Sequence, residues 1–106
     1  MARQEVELLP EHMEGLARWV DRVVLRLGIP PTHVTYRAED VRTLSGPLVL
    51  CTVAVLPHPA LPGFPGMLEH STGLNVRNAV DTACSHVLRH LLAIGTAMST
   101  GLETCG

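Results

Sequence analysis

Asp81, Cys84, Ser85, His86 and His90 fall within residues 81–90, in the stretch "DTACSHVLRH". Their types suggest two chemistries. A cysteine or serine beside a histidine and an aspartate is the raw material of a nucleophile, base and orienting acid. Two histidines at i, i+4 can share one helical face and hold a metal ion. Neither set closes. Successive helical residues are turned by about 100° from one another, so Cys84, Ser85 and His86 point three ways. The histidine pair needs further ligands, and no sequence feature supplies them. His58 and His70 flank a proline-rich segment, and spacing alone leaves their relation open. The sequence holds no strained nucleophile turn, phosphate loop or carboxylate pair. The expectation is a non-enzyme with no cofactor, no metal site and no small-molecule substrate.

Composition narrows the remaining classes. At 106 residues the chain suits one domain with a single core. Hydrophobic residues make up 46% and aromatic ones only 3%, so Leu, Val and Ala must build that core. The formal net charge is -2, and all eight basic residues are arginine. Nucleic-acid binding draws affinity from a basic surface that releases counterions, so this balance disfavours RNA as the partner. Cys51, Cys84 and Cys105 are odd in number and widely spaced, which argues against a disulfide framework or a zinc knuckle. With an acidic N-terminus that lacks an apolar run, the expected place is intracellular, in cytoplasm or nucleus, and no membrane is expected as a partner.

Positioning elements follow from periodicity. Residues 11–27 read as a helix, with Met13, Leu16, Ala17, Val20, Val23, Val24 and Leu27 as its apolar stripe. Arg18, Arg22 and Arg26 line another face, and Trp19 is expected at the core edge beside Val23, with an interface anchor as the alternative. Residues 33–40 alternate as a half-buried strand, and 41–47 form a turn. Residues 48–56, "LVLCTVAVL", are apolar on both faces, as a strand covered on both sides would be. A proline-rich loop, a short strand near residues 67–72 and a helix over 75–93 complete the order. The fold class is α+β, α-β-β-β-α, with two helices packed on one face of a three-stranded antiparallel sheet. Residues 1–7 are read as an N-terminal tail, 8–94 as the module and 95–106 as a loose polar tail.

Local motifs add a resemblance over residues 8–94. Gly46-Pro47 precedes the alternating Val53 and Val55. Gly73, Asn75, Val76-Arg77, Ala79, Val80, Ala83-Cys84 and Leu88 follow in one register. In these positions the chain resembles the double-stranded RNA-binding domain. The family's histidine after Gly-Pro is Val49 here. Of its three phosphate-bridging lysine positions only Arg77 is basic, with Val76 and Val80 at the others. Such domains grip duplex RNA by shape through contacts spread over two minor grooves and the phosphates between them. The resemblance therefore implies a scaffold that folds alike but has lost most of its RNA-gripping residues, as in members used for protein interaction and homodimerisation.

Both lines meet in one expectation: a non-catalytic protein–protein interaction or homodimerisation module. Its interface would use Leu48, Leu50, Ala54 and Leu56 on the uncovered sheet face, with Val76 and Val80 on the opening turns of the second helix. The edge strand near residues 67–72 would pair with its twin in a two-fold dimer. The second reading is a weak double-stranded RNA-binding domain using Arg18, Arg22, Arg77 and Arg89.

Overall fold

The computed structural model describes residues 4–105, with side chains described over residues 4–95. Six principal elements follow one another: β1 (Gln4–Val6), α1 (Leu16–Arg26), β2 (Val34–Thr43), β3 (Gly46–Val55), β4 (Met67–Gly73) and α2 (Val76–Cys105). Single-turn 3-10 helices at Pro10–Met13 and Pro31–His33 link them. The fold is α+β, with two α-helices and a four-stranded antiparallel sheet in the order β1-β2-β3-β4.

Several elements differ from the sequence expectations. Residues 4–6, within the presumptive tail, form a fourth strand that sets Val6 opposite Ala38. Three residues are too few to carry a periodicity, and their strand state comes from pairing with β2. The turn expected over residues 41–47 shrinks to Leu44-Ser45, because β2 continues to Thr43 and β3 begins at Gly46. Gly46 takes φ +115°, which L side chains avoid, and Thr43 Oγ1 donates to the Gly46 carbonyl at 2.8 Å to close the hairpin. At the other end, α2 runs on to Cys105 instead of stopping near Ala93. No proline follows Ala93, and the two interior glycines, Gly95 and Gly101, cost only about 1 kcal/mol each of helix propensity.

The helix expected over 11–27 is interrupted. Pro10–Met13 is 3-10, Glu14 and Gly15 break the run, and α1 proper covers Leu16–Arg26. Its apolar stripe behaves as read: Ala17, Val20 and Val24 are buried, with Leu16, Val23 and Leu27 packed around them. Its end is a Schellman motif. The Ile29 N–H reaches the Val24 carbonyl at 2.8 Å and the Gly28 N–H reaches Leu25 at 3.0 Å, while Gly28 takes φ +86°. Ile29 is fully buried, so the turn also anchors the following chain.

One core joins both helices to one sheet face. From β3 it takes Val49, Cys51, Val53 and Val55, and from α2 it takes Ala79, Val80, Ala83, Cys84, Val87 and Leu91. Val80 was expected on the surface; it is fully buried. The reason is that α2 has two neighbours, packing against β3 and β4 on one side and α1 on the other. A helix held that way buries a wider sector than a single amphipathic stripe. Val76 lies at the margin, half-buried against the core.

Candidate interaction surfaces

Arg77, the one basic residue kept at the resemblance's phosphate positions, is occupied inside the molecule. Its Nε donates to Asp81 Oδ2 at 3.1 Å and its Nη1 donates to the Glu11 carbonyl at 3.2 Å. Asp81 Oδ1 in turn accepts the Leu16 N–H at 3.1 Å. α1 has no side-chain cap of its own, since Gly15 stands at its N-cap, so a carboxylate from α2 caps it. A Cβ at Gly15 would run into Asp81 Oδ1 and the Arg77 guanidinium, so a side chain there would have to displace this Arg77–Asp81 latch. This latch orders the two helices. It also spends the guanidinium that RNA would need.

The face of the sheet away from the helices is uncovered among the described residues. Directly opposed residues in antiparallel strands share a face, so the register places Leu48 beside Val41, Leu50 between Glu39 and Thr72, and Ala54 between Thr35 and Leu68. Leu48, Leu50 and Ala54 are half-buried only by their neighbours in the sheet, while Leu56 and Leu68 are 47% and 64% exposed. Arg37 crosses the middle of this face, 3.5 Å from Glu5 and 4.0 Å from Glu39. The face is thus apolar along β3 except at Thr52, which stands between Arg37 and His70, and ionic toward β1.

The two sheet edges differ. β1 is three residues long and carries Glu5, and short acidic edges resist pairing. β4 is seven residues long and free of proline and lysine. It pairs with β3 in an unbroken register from Met67 to Gly73, with no bulge to twist its outer side away. Its free edge borders the apolar part of the open face.

A second surface lies between the helices. Leu16, Val23 and Leu88 form the floor of a groove of about 540 Å³, with Trp19, Arg22 and Leu92 among its walls. Trp19 is 55% exposed and not packed at the core edge as expected. The Arg22 guanidinium lies 5.1 Å from its ring centroid. The arginines of the RNA reading fall in three places, with Arg18 exposed on α1 one turn before Arg22. Arg22 walls this groove, Arg77 is in the latch, and Arg89 lines a different groove on the other flank of α2, with Phe64, Met67 and Ile94.

The residues that opened the sequence reading are separated as well. Cys84 is buried in the core, His86 is exposed, and Asp81 is in the latch. His90 does not join His86; its Nδ1 lies 3.4 Å from Glu69 Oε1 on β4. His58 packs edge-on against His33 at 4.9 Å, and His70 sits on β4 opposite Thr52. Among the described residues no three metal-binding side chains come together, and no helix is long and apolar enough to cross a membrane. Burial pushes the Cys51 thiol up to about 11 and the Cys84 thiol up to about 12, Cys84 being raised further by Cys51, Asp81 and Asp21. Burial likewise raises Tyr36, whose hydroxyl has no hydrogen-bond partner. Burial raises Asp21 too. The side chain of Cys105 lies outside the described residues.

No family model, curated protein or solved structure matches this chain.

Proposed function

We propose that the chain is a non-catalytic protein-interaction module, built on a scaffold like that of the double-stranded RNA-binding domain, that self-associates through its open sheet face and the free edge of β4. The observation that carries this reading is a juxtaposition. An unbroken seven-residue edge adjoins the apolar residues Leu48, Leu50, Ala54 and Leu68, and among the described residues no element lies over either. Edges of this kind add strands readily, and antiparallel addition of two identical edges generates a two-fold axis. Val76, on the far side of the sheet, takes no part in the surface, and Val80 is core.

The RNA reading has less support. Its best-placed cation, Arg77, holds Asp81 and the Glu11 carbonyl, Arg89 lines a separate groove, and only Arg18 and Arg22 share one helix.

Mass measurement in solution decides between them. The expected result is a concentration-dependent species of twice the 11.4 kDa chain mass. Leu50→Asp or Leu68→Lys, both on the open face, should return it to the monomer with an unchanged circular dichroism spectrum. A wild-type chain that stays monomeric up to about 1 mM, where only contacts worth less than roughly 4 kcal/mol would go unseen, sinks the proposal. Salt-steep binding to a short RNA duplex would put the second reading in its place.

A further inference from the structure

The groove between α1 and α2 is a surface apart from the sheet, and its chemistry specifies a different occupant. Its floor is aliphatic: Leu16, Val23 and Leu88 are half-buried and packed against the core. Its upper walls are Trp19, 55% exposed, and Leu92, 58% exposed. Its charged lining is entirely cationic, from Arg22 and Arg26. These two stand one helical turn apart, and among the described residues neither forms an ion pair with a carboxylate. Arg22 spends its guanidinium only on the Trp19 ring.

We infer that this groove docks an amphipathic helix of a partner protein, with an apolar face for the floor and carboxylates along one flank for Arg22 and Arg26. Several features select that chemistry. Two packed helices leave a longitudinal furrow that a third helix fills by ridges-into-grooves packing. The furrow has no free strand edge, so an extended peptide would gain no backbone hydrogen bonds in it. The i, i+4 spacing of the arginines matches carboxylates one turn apart on a partner helix. Tryptophan and arginine around a desolvated apolar centre are the residues that carry most of the binding free energy at interfaces. Duplex RNA would find the arginines but would leave the leucine floor in water.

Trp19 is the only tryptophan in the chain, so it reports directly on occupancy. The probe is a synthetic helical peptide of about 18 residues, roughly five turns, with leucines at i, i+3, i+4 and i+7 and glutamates on one flank. A matched control peptide carries lysines in place of the glutamates. The expected result is a saturable blue shift of Trp19 emission with the acidic peptide only. Arg22→Glu with Arg26→Glu should weaken that binding at least about ten-fold and make the lysine peptide the better ligand. Both arginines are exposed, so the double variant keeps its circular dichroism spectrum, which is checked first. Absence of saturable binding, equal affinity for the two peptides, or binding that leaves Trp19 emission unmoved each overturns the inference. If the same double variant instead abolishes tight binding to a duplex RNA, the ridge belongs to nucleic acid and the inference falls. Leu50→Asp, which tests self-association, leaves this groove untouched, so the two proposals fail separately.

Discussion

Arg77 and Asp81 show how one residue type at one position can serve opposite ends. On a helix opening that met a phosphate backbone, Arg77 would extend into solvent. Here its Nε and Nη1 are turned inward on Asp81 and the Glu11 carbonyl, and Asp81 completes the first turn of α1. Asp81→Ala removes a helix cap and strands a guanidinium, and should cost about 1–2 kcal/mol, read as a lowered urea midpoint at constant slope. Arg77→Ala should lower the midpoint as well, and the double variant should lose less than the sum of the two, because each partner's contribution depends on the other. Strict additivity would show that Arg77 and Asp81 act independently. The motif register found position 77 correctly. It could not show where the side chain goes, because Glu11 and Leu16 lie more than sixty residues away in sequence and nothing local marks them as its partners.

Between elements, the junction from β4 to α2 is a passage closed by backbone atoms. Gly73 ends β4 fully enclosed, and a Cβ there would meet the Ala79 backbone nitrogen at 2.6 Å and its Cα at 3.0 Å. Neither atom can swing aside as a side-chain tip would. The Asn75 side chain then caps α2 by accepting the Asn78 N–H at 2.8 Å. Gly73→Ala is therefore expected to destabilise the chain by about 1–3 kcal/mol, the cost of overpacking, measured by thermal or denaturant unfolding. A neutral effect would mean that α2 can slide on β4. The sequence shows that a glycine precedes this helix, and the structure supplies close backbone approach as the cause. The free edge of β4 and the blunted edge of β1 belong to the same scale, since strand order decides which strand keeps an unpaired side.

Across the whole molecule, the buried centre sets how stability responds to pH. The Cys51 and Cys84 thiols are held up by burial to about 11 and about 12, whereas the unfolded chain releases these protons near 9. The folded state thus binds more protons than the unfolded state between about pH 9 and 12, so stability falls as pH rises through that window. The loss should approach about 1.4 kcal/mol per thiol for each pH unit above 9, and Cys51→Ala with Cys84→Ala should flatten the profile after its own packing cost. In native protein at pH 8 both thiols should resist alkylation, and mass spectrometry should find them modified only after unfolding. Rapid native labelling of either would contradict the closed core. The same centre explains why Val80 is inside: α1 and the sheet together enclose a sector of α2 that a one-stripe reading leaves outside.

By itself the sequence determined the aliphatic composition of the core, the helical stripe of α1, the doubly apolar β3, the third strand near residues 67–72 and the α+β class. Each of these is written in local period or composition, the scale at which side-chain burial repeats. Tertiary structure decided the rest: the strand state of Gln4–Val6, the burial of Val80, the inward turn of Arg77, and the groove that joins Trp19 to Leu92. Those properties depend on residues brought together from distant parts of the chain, and a partner's position is set by packing, not by spacing along the sequence.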